Sequence, residues 1–302
     1  MRTRLKPLPA TEKVHPGSVD LDLCSTPELL RRLHREDRSA LRAAGRVLPT
    51  LARAAKSAAR ALSAGGRIVY VGAGSSGRLG VLDAAECSPT FGASAREVQA
   101  ILAGGGRAVA RAAEGAEDDR AQGKAAIRKL NVDHRDFVCG ISASSSTPFV
   151  LAALREARRR KAFTAFVCCS LPATARSAAD LVIFADTGPE LIAGSTRLKA
   201  GTATKLILNA LSTAAFMSLG RVYRGRMVGL KPSSAKLRRR AHRTIVDLAG
   251  ISAARATRLL TRAGGQVRLA LAMHFTGLPR LAAQRALEKQ GLRQLEMLAR
   301  RR

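Results

Sequence analysis

Aromatic residues are scarce in this chain: they make up 3% of its 302 residues, and tryptophan is absent. A core of this size must therefore be built mainly from Leu, Val, Ile and Ala, and the hydrophobic content of 46% is typical of a globular protein. No apolar run is long enough to span a bilayer, and the first residues lack the apolar stretch of a signal peptide. These absences predict a protein with neither a membrane span nor a secretory leader.

Acidic residues are also few. The chain has 22 Asp and Glu but 52 Lys and Arg, which gives a net charge of +30. Such a charge attracts anions, including phosphorylated substrates and nucleic acid. The basic residues concentrate at 155–161, 236–243 and 300–302, and runs of this kind usually form solvated helix faces. Because no aromatic side chains interleave with them to stack bases, nucleic-acid binding beyond a weak, non-specific kind is not expected.

The cysteines do not suggest a disulfide framework, because they are odd in number and lie mostly within apolar runs. They also lack zinc-ligand spacing with the five histidines. The pattern predicts a cytoplasmic protein without a metal site. The five are Cys24, Cys87, Cys139, Cys168 and Cys169.

Short apolar runs alternate with helical patterns, which predicts an α/β fold with a parallel sheet and helices on both faces. A long helix is expected over 38–63 and another over 196–219. The predicted strands are 68–71, 98–102, 137–141, 163–168 and 181–184, and the helices between them are 78–86, 107–113, 118–129, 147–159 and 172–177.

The pattern changes towards the C-terminus, where only short helices are predicted, over 235–249, 252–263, 265–275 and 279–289. The segment 221–234, with Pro232 and two serines, is the predicted linker. The expected organisation is an irregular basic arm over 1–24, an α/β domain over 25–230 and a small helical domain over 231–302.

The first predicted strand runs into a glycine- and serine-rich turn, and a helix follows. Gly74 lets the backbone turn and approach a ligand, while Ser75 and Ser76 add hydroxyl donors to the free N–H groups of a helix start. The turn lacks the lysine of a P-loop and the full glycine spacing of a dinucleotide site. It predicts a phosphate site, and a glycine-rich turn without a ligand is the alternative.

Two further Ser/Thr-rich segments precede predicted helices at the same edge of the sheet. One follows the third strand and the other lies at the start of the long apolar helix. Ligands of open parallel sheets collect at this edge, and hydroxyls from three segments suit a sugar phosphate better than a dinucleotide. Helix capping is the alternative for each segment. The candidate binding residues in the two segments are Ser144, Ser145, Ser146, Thr147, Ser195, Arg197 and Lys199.

The rare acids include Glu86, in the helix after the phosphate turn, and Glu114 and Glu117, in the segment Glu-Gly-Ala-Glu-Asp-Asp. Two carboxylates that face one pocket can act as base and acid if burial raises one pKa towards neutrality. The alternative is that residues 117–119 only cap the next helix.

Three motifs together resemble the N-acetylmuramic acid 6-phosphate etherases, bacterial relatives of the glucokinase regulatory protein built on sugar isomerase (SIS) domains. They are GAGSSGRLGVLDAAECSPTFG, EGAEDD and GSTRLKAGTATKLILNALST, and the likeness runs from about Thr11 to about Gly291. The resemblance implies a three-layer SIS-type sandwich with a five-stranded parallel sheet and a small C-terminal bundle similar to ubiquitin-associated domains. It also implies a homodimer with the site near the subunit contact.

The implied reaction removes the D-lactyl ether of N-acetylmuramic acid 6-phosphate by elimination and hydration, without a metal or other cofactor, in cell-wall sugar recycling. The resemblance assigns acid–base roles to Glu86 and Glu117. It places Ser75, Ser76, Ser144 and Thr147 near the phosphate, puts Ser195, Arg197 and Lys199 in a signature segment, and matches Lys236 to a lysine that could meet the lactyl carboxylate.

Several positions depart from the family pattern. Ser145 and Ser146 stand where the family has Gly and Arg, and Gly225 and Gly229 stand where it has Asn and Asp. The phosphate turn and both glutamates are retained. Two hypotheses therefore remain: an active etherase, or a catalytically impaired regulatory protein that still binds a sugar phosphate. A third, a protein that acts mainly on nucleic acid, has only the charge in its favour.

Overall fold

A computed structural model describes residues 8–170 and 177–301. The chain divides into two compact units. The first contains Met1–Ala84 and Glu97–Ala214, and the second contains Ala85–Arg96 and Ala215–Arg302. The predicted domain boundaries stay a prediction.

A five-stranded parallel sheet forms the centre of the first unit. Its strand order is β2-β1-β3-β4-β5, so β1 lies between β2 and β3, and the connections change direction between β1 and β3. The predicted α/β fold and its parallel sheet are confirmed. The strands are β1 Ile68–Gly72, β2 Val98–Leu102, β3 Phe137–Ile141, β4 Phe163–Cys168 and β5 Leu181–Phe184.

Helices cover both faces of this sheet. On one face, Val69 and Val71 pack in a core with Phe149 and Leu154 of α5. On the other face, α2 contacts β1, β3 and β5, and Gly80 of α3 lies against Tyr70. The unit is therefore a three-layer sandwich. The helices that contribute to it are α1 Thr26–Arg46, α2 Leu48–Ser63, α3 Gly74–Phe91, α4 Arg120–Lys129, α5 Pro148–Arg159 and α6 Lys199–Ser218.

The second unit has a helical core and a short hairpin. The segment predicted as a linker contains β6 Val222–Tyr223 and β7 Arg226–Met227, and it buries Tyr223, Val228 and Leu230 in the core of the helices that follow. Its apolar residues explain why it is ordered. The helices are α7 Ala235–Ala249, α8 Ala253–Arg262, α9 Val267–Thr276 and α10 Arg280–Ala299.

Several helix boundaries differ from the prediction, and α3 extends beyond the predicted 78–86 at both ends. The helix expected over 38–63 breaks at Val47, because Pro49 fits the first turn of a new helix. Residues 106–109 form a 3₁₀ turn instead of a helix over 107–113, and α10 continues to Ala299 through a kink at Gly291. The helix predicted over 172–177 falls largely outside the described residues. In the described part, none of the helices combines the length and apolarity that a membrane span needs.

Direct backbone contact between Gly72 and Gly77 joins the end of β1 to the start of α3. A Cβ added at Gly77 would lie 2.7 Å from the carbonyl carbon of Gly72 and 2.4 Å from Cδ1 of Leu102. A Cβ at Gly72 would lie 2.6 Å from the Gly77 backbone. Only glycine fits at these two positions, so the helix begins immediately beside the strand.

We expect Gly77→Ala to destabilise the protein by about 1–3 kcal/mol, because the new methyl group overlaps backbone that cannot move freely. Denaturant titration measures the change in the free energy of unfolding. Gly45→Ala is the matched control, since a Cβ at Gly45 in α1 meets nothing within 4 Å and helix propensity favours Ala by about 0.5–1 kcal/mol. Equal stability of the two variants would show that the contact is not tight.

Candidate functional site

The change of direction between β1 and β3 marks a crevice at the carboxyl edge of the sheet, because α3 and α5 leave these strands towards opposite faces. Gly72 pairs with Ile141 at this edge. The predicted turn 74–76 follows β1, and the predicted segment 144–147 follows β3. The structure therefore brings these two segments to neighbouring strand ends.

The start of α3 presents donors towards this edge. Gly74 has a φ of +51°, a conformation that glycine adopts without strain. Ser75 and Ser76 are half-buried, and within the described residues neither hydroxyl makes a hydrogen bond. The first N–H groups of a helix also lack intrahelical partners. This combination of amides, hydroxyls and helix dipole suits an anion.

The serine segment after β3 is held by its own hydroxyls. Ser142 Oγ lies 2.7 Å from Thr147 Oγ1, and Ser144 Oγ lies 2.8 Å from Ser146 Oγ. Ser145 is buried with a φ of +61°, and its hydroxyl donates to the Ser144 carbonyl. Ser144 and Thr147 are half-buried and Ser146 is exposed. Ser145 therefore shapes the loop, while its neighbours can reach a ligand.

Glu117 shares a cavity of about 170 Å³ with the turn that begins α3. The loop after β2 forms one wall of this cavity and contributes Glu114 and Glu117, while Gly74 and Arg78 form another wall. The cavity brings a candidate catalytic carboxylate to the same place as the candidate phosphate turn.

Arg78 attaches the loop after β2 to α3. Its Nε donates to the carbonyls of Ala108 and Val109, each at 3.0 Å, and its Nη2 donates to the Arg111 carbonyl at 3.1 Å. The planar guanidinium suits this task because its donors have fixed directions. Arg78 thus positions the backbone that leads to Glu117.

The third predicted segment lies beside the second, because Ala200 at the start of α6 packs with Ala143 and Cys169. Its helix N-terminus already has an acceptor, since buried Glu190 accepts from the N–H groups of Lys199 at 3.2 Å and Ala200 at 2.9 Å. Burial raises the pKa of Glu190, while these two amides lower it. The amide donors of this segment are therefore used within the chain.

The Lys199 ammonium is buried and pairs with Glu36 of α1 at 2.5 Å. His15 lies 3.4 Å from the same Glu36 oxygen. A cavity of about 280 Å³ beside this pair is also lined by Arg197, which is exposed. Ser195 is half-buried before the helix. Of the predicted residues in this segment, Arg197 presents its charge to solvent and Lys199 has an acidic partner.

Glu86 lies on α3 in the second unit, and Glu117 lies in the first. Both carboxylates are exposed in the single chain, as is Lys236 at the start of α7 in the second unit. This chain alone therefore leaves both carboxylates in contact with solvent. The catalytic assignments stay a prediction.

Sequence reasoning missed a buried carboxylate that fixes α3. Asp83 Oδ2 accepts from the Tyr70 hydroxyl at 2.8 Å, and Oδ1 accepts from Asn209 at 2.7 Å and Ser212 at 3.1 Å. Burial raises the pKa of Asp83, and the three hydrogen bonds oppose that shift. The signal in the sequence was a lone aspartate on the apolar side of a helix.

The described residues contain no cluster of metal ligands, and at least two of the buried thiols are unreactive. Within them, no group of three or more His, Cys, Asp or Glu side chains could hold a metal ion. Burial raises the pKa of Cys139 and of Cys169 to about 12, so both are protonated thiols at neutral pH.

The fold and this edge of the sheet define a class of protein, the parallel α/β proteins with a ligand crevice between β1 and β3. Residues 50–158 match the family model of the glucokinase regulatory protein N-terminal SIS domain. Among solved structures, a phosphoheptose isomerase from Francisella tularensis is similar at a TM-score of 0.47 and 15% identity, over 64% of this chain and 99% of that one.

Curated relatives are much more similar in sequence. An N-acetylmuramic acid 6-phosphate etherase of Trichormus variabilis is 48% identical over 92% of this chain and 90% of its own length. One from Salmonella agona is 43% identical over 92% and 93%. The chain belongs to the N-acetylmuramic acid 6-phosphate etherase family.

We expect Arg78→Met to loosen the loop after β2, because three charge-assisted hydrogen bonds to carbonyls are lost. Hydrogen exchange of the amides over 104–117 should accelerate about tenfold or more, while the strands keep their protection. Arg111→Met is the control, since the Arg111 carbonyl and not its side chain takes part. Similar exchange in the two variants would show that Arg78 does not hold the loop.

Proposed function

We propose that this protein cleaves the D-lactyl ether of N-acetylmuramic acid 6-phosphate, giving N-acetylglucosamine 6-phosphate and D-lactate. Identity of 48% to an etherase over 92% of the chain is the observation that carries the proposal. The arrangement of Gly74, Ser75 and Ser76 at the start of α3 supports the proposal, because its amides, hydroxyls and helix dipole suit the phosphate group of such a sugar. We place the reaction in the cytoplasm and assign it no metal or other cofactor.

The proposed reaction is an elimination followed by a hydration. Opening of the sugar ring gives an aldehyde at C1, which acidifies the proton at C2. One carboxylate removes that proton, and the C3–O bond breaks so that lactate leaves with the ether oxygen. The second carboxyl group protonates this oxygen. Water then adds at C3 and a proton returns to C2, so the net change is hydrolysis. Glu86 and Glu117 supply the two groups.

The phosphate would be held mainly by the α3 start and the serine segment after β3. The hydroxyls of Ser75 and Ser76, which make no hydrogen bond to the residues that the structure describes, can donate to phosphate oxygens, and the helix dipole favours a dianion. Thr147 and Ser144 extend this set from the neighbouring strand. Arg197 and Lys236 are further candidates for the substrate's negative groups.

We further propose that the active form is a homodimer. A general base for C2 works best with a pKa near the working pH, which for glutamate requires desolvation. Both candidate glutamates are exposed in the single chain. A second copy, together with bound substrate, would exclude water from them.

A direct assay separates turnover from binding alone. The purified protein is incubated with N-acetylmuramic acid 6-phosphate in ¹⁸O-water, and both products are analysed by mass spectrometry. The proposal predicts ¹⁸O on C3 of N-acetylglucosamine 6-phosphate, beyond any label that exchanges into the C1 carbonyl, and none in the 2-hydroxyl group of lactate. If no lactate forms but the sugar phosphate raises the melting temperature, the protein is a binding protein without this activity.

We expect Glu86→Gln to reduce turnover by about 10³-fold or more, because the amide keeps the shape but cannot carry a proton. Lactate release measures the rate, and an unchanged melting temperature shows that the fold is intact. Glu288→Gln, an exposed change on α10, is the control. A near-normal rate in Glu86→Gln would remove this residue from the mechanism.

We expect Ser76→Ala to weaken binding of N-acetylglucosamine 6-phosphate by about 5–30-fold, since a hydrogen bond to a charged group is lost. Calorimetric titration measures the affinity, and unphosphorylated N-acetylglucosamine serves as a ligand control. Ser88→Ala, at an exposed position later in α3, should bind normally. Unchanged affinity in Ser76→Ala would make the turn purely structural.

A further inference from the structure

A basic groove in two parts runs along α7 in the second unit. The larger part, of about 760 Å³, lies between α7 and α8, and the smaller part, of about 320 Å³, lies between α7 and β7. Arg239 and Arg243 line both parts. We call this the α7 groove, and its basic residues are Arg226, Arg238, Arg239, Arg240, His242 and Arg243.

Few acids neutralise the basic residues of this region. Residues 231–302 contain seventeen Lys and Arg and three acids. Buried Glu296 binds arginines at the end of α10 and in the hairpin, and Glu288 accepts from Gln284. Asp247 is the acid beside the groove, and it pairs with Arg226 at 3.0 Å but lies 3.9 Å from Arg243.

Most of the positive charge of the groove arginines is therefore not neutralised by the described acids and can attract an external anion. Within the described residues, Arg238 and Arg239 make no ion pair, and both are exposed. Arg240 contacts the sulfur of Met227 at 4.0 Å. An exposed cluster of positive charge with one neighbouring acid among the described residues, Asp247, still attracts a polyanion over distances comparable to the Debye length.

The guanidinium groups among the lining residues suit a phosphate backbone. Guanidinium groups match phosphate oxygens with two parallel donors, and Thr261 adds a hydroxyl at the wall. None of the described lining residues is aromatic apart from His242, whose Nε2 contacts Thr257 and the Ala253 carbonyl. Single-stranded nucleic acid is held largely by base stacking on aromatic rings. The groove lacks such a platform.

We propose that the α7 groove binds the backbone of double-stranded nucleic acid without sequence preference. The net charge alone allows weak binding at low salt anywhere on the surface, and the groove gives that binding a defined place. No residue of the proposed etherase reaction lines it, so the inference does not depend on the proposed function.

The test is the variant Arg239→Gln/Arg243→Gln with a fluorescently labelled duplex of about 20 base pairs. Anisotropy titrations between about 50 and 200 mM salt give the affinity and its salt dependence. Removing two phosphate contacts should weaken binding about tenfold at the lower salt and make the log–log salt slope shallower by about 2. A single strand of the same length should bind more weakly than the duplex.

Arg285→Gln/Lys289→Gln on α10 is the matched control, because it removes the same charge from exposed positions outside the groove. We expect it to change the affinity by less than about threefold. Melting temperatures check that both variants fold. Equal losses in the two variants would overturn the proposal, since they would show that only net charge matters. Stronger displacement of the duplex by polyglutamate than by unlabelled duplex would also overturn it, in favour of an acidic protein.

Discussion

The contact between Gly72 and Gly77 is the constraint on which the candidate site depends. It places the first turn of α3 against the end of β1 with no side chain between them. The amides and hydroxyls of Ser75 and Ser76 consequently lie at the edge where the neighbouring strands β1 and β3 end. A larger residue at either glycine would move this turn, and every contact that a phosphate could make there would move with it.

Other residues hold the surrounding loops against this fixed start. Arg78 extends from α3 to three carbonyls of the loop after β2, and that loop contributes Glu117 to the shared cavity. The start of α6 is different, because Glu190 and Glu36 satisfy its amides and Lys199. At this edge of the sheet, the segments after β1 and β3 therefore have hydrogen-bond donors available for a ligand. The amide donors at the start of α6 are already bonded within the protein.

Local patterns predicted the strands well because each strand is a short, mostly apolar run of four to six residues, and the run that forms β1 ends in Gly72. The turn at Gly74 was predictable for the same reason. The partners of Glu36, Asp83 and Arg78 could not be predicted. Each of these three residues is many positions away in sequence from its partners and meets them only in the folded chain. The break at Val47 was missed although Pro49 marks it, since the alanine-rich pattern continues across it.

The most direct test of the account is a crystal structure with N-acetylglucosamine 6-phosphate bound. We expect the phosphate to accept hydrogen bonds from the Ser75 and Ser76 amides and hydroxyls, with C2 and C3 of the sugar within reach of the Glu86 and Glu117 carboxylates. A phosphate bound elsewhere, or a sugar whose C2 and C3 lie beyond contact with both glutamates, would contradict it.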